Sequence, residues 1–196
     1  IPSIYEIDNK SLRDTSGKIV QQVYWYGDED GKIYFPAFIN SFSPKEWKIT
    51  PKKEWYEINS LKGNVWIYAN RPLDNDANLD DSAQIHLNKY LEDNDLHPSV
   101  IVHRGHSYWL PRTIRRMPGE AKIVVLGSCG GYKNLNDIID SNPDAHIIST
   151  KEIGAGEINR PISNYLNQAF ESGATVSWKN MWASLTKLFS ADQNKT

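Results

Sequence analysis

Two residues in this chain pair reactive chemistry with positions where a fold could use it. Cys129 is the only cysteine among 196 residues, so no disulfide within the chain accounts for it. It sits in Gly127-Ser128-Cys129-Gly130-Gly131, directly after the apolar run Ile123-Val124-Val125-Leu126. His106 sits in Arg104-Gly105-His106-Ser107, directly after the apolar run Val100-Ile101-Val102 and His103. A thiol attacks a carbonyl as the thiolate, and an imidazole beside it either lowers its pKa or takes its proton. Cys129 is therefore the candidate nucleophile and His106 its candidate base. The glycines fit that chemistry. Gly127, Gly130 and Gly131 let the chain turn sharply and approach a substrate without Cβ obstruction, leaving backbone N–H groups for an oxyanion. A lone cysteine is commonly inert packing, but a packing cysteine has no use for three flanking glycines.

Elements must bring these two turns together. From about residue 64 onward the apolar pattern alternates. Strands are expected over 64–69, 99–103, 123–126, 146–149 and 174–178, with helices between them and a C-terminal helix through Phe189. The first of these helices starts at Asp81 or Ser82, which offer an N-cap, after an exposed acidic loop over 73–81. Short, nearly all-apolar strands separated by helices predict a mostly parallel central sheet covered by helices on both faces, a three-layer α/β fold. Chemistry in such sheets sits beyond the carboxyl ends of neighbouring strands. Parallel neighbours lie about 4.8 Å apart, close enough for turns at adjacent ends to converge. Upstream, Ile4, Tyr5 and Ile7 suggest an edge strand or arm over 1–20. Val23-Tyr24-Trp25-Tyr26 reads as a strand. Phe35, Phe38 and Ile39 share a helical face, with Pro36 suited to a first helical turn. The Pro- and Lys-rich stretch 44–53 reads as a loop and 54–58 as a further strand. The expected organisation is an arm over 1–20, one α/β domain over 21–190 and a polar tail over 191–196.

Composition narrows the function classes. The 24 acidic and 22 basic residues nearly cancel, and with no long basic block there is no footprint for nucleic acid. No apolar run reaches the roughly 18 residues needed to cross a membrane. The sequence begins at Ile1 without a methionine, signal region or lipidation motif, as expected of a trimmed or excised domain, any targeting segment of which would lie outside it.

At the two motifs the sequence resembles the caspase-like cysteine peptidases, which include caspases, gingipains, clostripain, legumain, separase and the CHAT domains. The matching residues are Val100-Ile101-Val102-His103-Arg104-Gly105-His106-Ser107 and Ile123-Val124-Val125-Leu126-Gly127-Ser128-Cys129-Gly130-Gly131. Gly-His-Ser followed by Tyr108 and Trp109 is closest to the gingipain and CHAT versions. The resemblance implies a caspase-like fold and a cysteine endopeptidase acting on peptide or protein substrates through a thioacyl-enzyme. Cys129 would be the nucleophile, His106 the base, and the backbone around Gly105, Ser107, Cys129 and Gly130, chiefly the amides of Ser107 and Cys129, the receiver of the oxyanion. Ser107 stands where that family usually has glycine, the Gln-Ala-Cys signature of caspases is absent, and His106 and Cys129 are 23 residues apart rather than about 50. The chain thus reads as a divergent member. A non-catalytic domain of the same fold, serving as a binding or regulatory module, is the alternative.

Other groups compete for roles. His103 is the rival base, though at i and i+3 the two histidines cannot hold equivalent places, and His103 is better suited to brace the turn. His103, His106 and Cys129 would supply three zinc ligands, with His146 the remaining donor to consider; the preferred reading uses no metal or other cofactor. Asp28 and Asp30, beyond the first central strand, are either an acidic pocket for a Lys or Arg side chain or a solvated turn. In the resembled fold the loop after the 146–149 strand borders the substrate groove, which makes Glu152 and Thr150 candidate groove residues, and Trp178 and Trp182 either wall that groove or fill the core.

Overall fold

Every residue of the strand at Ile19–Trp25 is buried, which requires cover on both faces of the sheet. That strand is the centre of the fold in the computed structural model, which describes residues 3–152, 154 and 156–193. In chain order the elements are β1 (Glu6–Ile7), β2 (Ile19–Trp25), α1 (Glu29–Asn40), β3 (Trp47–Pro51), β4 (Trp55–Ser60), β5 (Val65–Asn70), α2 (Leu79–Asp93) and β6 (Val100–Arg104). There follow α3 (Leu110–Arg116), β7 (Ile123–Leu126), α4 (Leu135–Ser141), β8 (His146–Ser149), α5 (Gly156–Ser172), β9 (Val176–Ser177) and α6 (Trp178–Gln193). Short 3-10 turns at Asn9–Leu12, Ser107–Trp109 and Gly131–Asn134 punctuate the connections.

The main sheet has seven strands in the order β3-β4-β5-β2-β6-β7-β8. β5, β2, β6, β7 and β8 run parallel, and β3 and β4 complete one edge antiparallel. Side-chain alternation sorts the apolar residues into two layers. Ile19, Val23, Trp25, Val102 and Val125 face a core closed by Phe35 of α1, Leu166 and Phe170 of α5 and Met181 of α6. On the opposite face Tyr24, Ile101, Val124 and Leu126 meet Leu110 of α3 and Ile138 of α4, while Val20 and Tyr68 meet Leu87 and Leu91 of α2. The result is the expected three-layer α/β architecture, with helices on both faces of a mostly parallel sheet. Among the described residues no helix is long and apolar enough to cross a membrane.

Several local expectations change. The 44–53 stretch contains the strand β3, not only loop: Lys48 and Pro51 are tolerated because β3 is an edge strand pairing on one side only, with β4. Helix α1 begins at Glu29, so Pro36 lies inside it, exposed, instead of in its first turn. The earlier start is set by Asp28, whose carboxylate accepts the Gly31 N–H at 2.8 Å as the N-cap, with Glu29 and Asp30 complementing the helix dipole. Helix α2 starts at Leu79, and Asp80 of the supposed exposed acidic loop is fully buried, accepting the Gly27 N–H at 3.0 Å. The 174–178 strand shrinks to β9, which pairs antiparallel with β1 in a separate two-stranded sheet, and Trp178 opens α6. The arm over 1–20 contributes β1 and is tied down by Asn9 and Arg13, which donate to the Phe170 carbonyl oxygen. Of the expected tail, 191–193 continue α6, and 194–196 lie outside the described residues.

Candidate active site

The β6 end is built on His103. Its ring is fully buried, with Nε2 3.1 Å from the Gly105 carbonyl oxygen and 3.3 Å from that of His106. Carbonyl oxygens only accept, so Nε2 carries the proton and Nδ1 accepts from the Thr113 hydroxyl at 2.7 Å. Thr113 in turn meets the Tyr26 hydroxyl at 2.8 Å, and burial pushes Tyr26 up to about 12, keeping it a donor. A neutral His103 therefore staples the Gly105–His106 backbone from beneath. Gly105 is required because a Cβ there would lie 2.6 Å from the Tyr26 ring. His106 then turns outward as the residue preceding the Ser107–Trp109 turn, where leading N–H groups have no partner within the turn.

This staple has a measurable consequence. Burial pushes His103 down to about 4 from 6.5. The unfolded chain then binds the proton more readily than the folded one, so the His103 contribution is complete above pH 6.5 and is lost as pH falls towards 4. The difference corresponds to about 3 kcal/mol. Denaturation from pH 7 down to 4 should show the wild type losing up to about that much more stability than His103→Gln, which has no ring to protonate. Parallel pH profiles for the two proteins would contradict a buried neutral imidazole.

The β7 end is clamped from two sides. The Gly127 N–H donates to the His103 carbonyl oxygen at 3.0 Å, joining the two strand ends directly. Asn159, buried on α5, donates through Nδ2 to the carbonyl oxygens of Gly127 and Gly154, each at 3.2 Å. The Thr150 hydroxyl donates to the Ser128 carbonyl oxygen. Gly130 adopts a left-handed conformation, φ +61°, open to glycine at no steric cost. Its N–H donates to the Glu152 carbonyl oxygen at 2.8 Å. Cys129 emerges exposed at the tip of this fixed turn.

Cys129 and His106 line one cleft of about 160 Å³ beyond the carboxyl ends of β2, β6 and β7, together with Gly105, Asp30, Tyr34, Arg104 and Asn159. His106 Nε2 stands 3.5 Å from Asp30 Oδ2, and its ring stacks on Tyr108 with centroids 5.2 Å apart. Among the described residues no hydrogen bond joins the Cys129 thiol to His106. Burial lowers Arg104 to about 10, with repulsion from Arg160 adding to the effect. Arg104 thus remains cationic near neutral pH.

The remaining candidates fall elsewhere. Asp28 does not line the cleft: one carboxylate oxygen caps α1 and the other accepts the Trp109 indole N–H at 3.0 Å. The Gly130 N–H is committed to Glu152, so it is not a free oxyanion donor, and the Glu152 residue itself is exposed, holding the turn through its backbone. Trp178 and Trp182 wall a different groove of about 470 Å³ beside β8, where Trp178 donates to His146 Nδ1 at 2.8 Å. With His103 and His146 engaged in this way, the side chains weighed as zinc ligands form no cluster among the described residues. Of the loop over 151–156, Ile153 and Ala155 lie outside the described residues. Sequence reasoning missed Arg104 and Asn159. Arg104 had a usable signal, a lone charge closing a buried strand two residues before His106; Asn159 had none, since its role depends on packing α5 against the β7 turn. Compared with known proteins, the chain matches no family model, no curated protein and no solved structure.

Proposed function

We propose that the protein is a cysteine endopeptidase of the caspase-like kind, acting on peptide or protein substrates. The observation that carries this reading is the convergence of an exposed cysteine and a histidine on one cleft at the carboxyl ends of adjacent parallel strands. Asp30 faces Nε2 of His106, which leaves Nδ1 as the nitrogen to take the thiol proton. The thiolate attacks the substrate carbonyl, forming a C–S bond and a tetrahedral oxyanion, which the backbone amides of Ser107 and Cys129 receive. Collapse breaks the C–N bond, and the His106 imidazolium gives its proton to the departing amine. Water, deprotonated by the same imidazole, then attacks the thioester. The C–O bond forms, the C–S bond breaks, and the thiol is restored with a free carboxylic acid as product. Hydrolysis of a peptide library should disappear in Cys129→Ala, with unchanged thermal denaturation. Peptide cleavage surviving in that variant would end the proposal.

A second reading, a non-catalytic binding module of the same fold, is favoured by the unjoined thiol and imidazole and by Ser107 in place of glycine. Thiol alkylation separates the two. An activated Cys129 reacts near neutral pH well ahead of a free thiol of pKa about 8.5, whereas in a binding module it reacts no faster than that thiol.

A further inference from the structure

The two edges of the main sheet are built differently. β3 carries Lys48 and Pro51, residues of the kind that keep an edge strand from pairing with a foreign chain. β8 reads His146-Ile147-Ile148-Ser149 and carries neither, and among the described residues it pairs with β7 alone. The His146 N–H donates to the Lys122 carbonyl oxygen at 2.8 Å. Hydrogen-bonding direction alternates along a strand, so the N–H and C=O of Ile147 point away from β7. The groove of about 470 Å³ beside β8 follows this edge. Its lining takes Ala145, His146, Ile147 and Ile148 in unbroken succession, where a sheet face would supply every second residue. The facing wall is formed by Ile4, Trp178 and Trp182, of which Ile4 and Trp182 are 72% and 47% exposed. Trp178 is held there by its bond to His146. This groove adjoins a second, of about 440 Å³, with which it shares Ser3, Asp144 and His146. Three carboxylates line the second groove, Glu6, Asp8 and Asp144, against one ammonium, Lys122. His146 adds no positive charge, since its Nδ1 accepts the Trp178 N–H and burial holds its pKa below the ordinary value.

We infer that the β8 edge is a docking site for an extended segment of a partner protein. The segment adds to the sheet as one further strand, lays apolar side chains against Trp178 and Trp182, and sets a Lys or Arg over Glu6, Asp8 and Asp144. Backbone bonds to Ile147 supply affinity, the indoles select apolar side chains, and the carboxylates fix the end at which the basic residue lies. The wall opposite β8 suits a single extended chain, whereas a second copy would bring its own Trp178 and Trp182 along with its edge. Neither groove shares a lining residue with the Cys129 cleft, so the docking site does not rest on the peptidase reading.

The test measures binding of labelled, end-blocked heptapeptides to full-chain Cys129→Ala, which lacks the thiol that would cleave them, by fluorescence anisotropy. The peptides share a core of alternating Thr and Val. One has Lys at its amino end, one has Lys at its carboxyl end, and one has Glu at both. At least one Lys peptide should bind saturably and about 3-fold or more tighter than the Glu peptide, the scale of exposed charge pairs. The end at which Lys works gives the direction of the added strand. Two further forms of that peptide are N-methylated on alternate residues, each losing the donors of one edge. One form should bind about 3- to 10-fold more weakly, the scale of a lost hydrogen bond, and the other should match the parent. Adding Trp182→Ala, at a partly exposed position, should weaken binding about 10-fold, the scale of an interface tryptophan. Adding Asp144→Lys, at an exposed one, should remove the preference for Lys over Glu. No saturable binding of any peptide, equal binding of the two methylated forms, or affinities unchanged by both substitutions overturns docking on β8. Sedimentation that finds the free chain dimeric, and monomeric as Trp182→Ala, would give the edge to a second copy and overturn it equally.

Discussion

Replacing His106 with alanine should lower kcat/KM for peptide hydrolysis by about 100- to 10,000-fold, the range of a positioned general acid–base, while leaving stability within about 0.5 kcal/mol. Both halves follow from its surroundings. The His106 side chain is 40% exposed and touches the fold through a 3.5 Å approach to Asp30, itself half exposed, and a stack on Tyr108. Exposed pairs of this kind contribute little to folding. In the proposed mechanism, by contrast, its place in the Cys129 cleft makes it the imidazole that takes a proton from the thiol and returns it to a leaving amine. His103 supplies the opposite case. It is fully buried, both nitrogens are engaged, and it holds the turn that carries His106. Substitutions at His103 should therefore cost stability first and activity only through displacement of the turn. Thermal denaturation run beside kcat/KM for the two variants checks the division. Substantial hydrolysis by His106→Ala, or a loss that merely tracks its unfolding, would remove His106 from the mechanism.

The contrast between the two histidines also marks how far sequence reasoning reached. The parallel sheet and its two helical layers were legible because apolar runs such as Ile123–Leu126 are set by burial on both faces, a local and periodic constraint. The two turns were legible for a related reason, since reactive residues flanked by glycine at strand ends are a local pattern. Partners distant in sequence were not. Asp80 looked like part of a solvated acidic loop, and its burial depends on a hydrogen bond to Gly27 from 53 positions away. Asp28 and Asp30 looked alike, yet one caps α1 and binds Trp109 while the other faces His106. The rotation of the first turn of α1 separates them, and that rotation is fixed only when the helix docks on the sheet. β3 was misread because an edge strand needs few apolar residues, so Lys48 and Pro51 disguised it.

The docking of α1 can be tested at one atom. Gly31 sits in its first turn, where an added Cβ would lie 1.9 Å from the Tyr26 carbonyl oxygen and 3.2 Å from Asp28 Oδ1. No rotamer relieves a clash between Cβ and backbone, so Gly31→Ala must push the helix start away from the end of β2. Overpacking of this kind costs about 1–3 kcal/mol, and disturbing the Asp28 cap, whose oxygen accepts the Gly31 N–H, adds about 1 kcal/mol. A combined loss of about 2–4 kcal/mol should lower the melting temperature by roughly 10 °C in a chain of this size. Gly119→Ala is the control, because a Cβ there meets only the Ser141 carbonyl oxygen at an ordinary 3.7 Å. The same shift carries Asp30 away from His106, so folded Gly31→Ala at low temperature should also hydrolyse peptides more slowly than the wild type. A variant as stable and as active as Gly119→Ala would mean that α1 does not begin where Asp28 places it, and the alignment of His106 by Asp30 would fall with it.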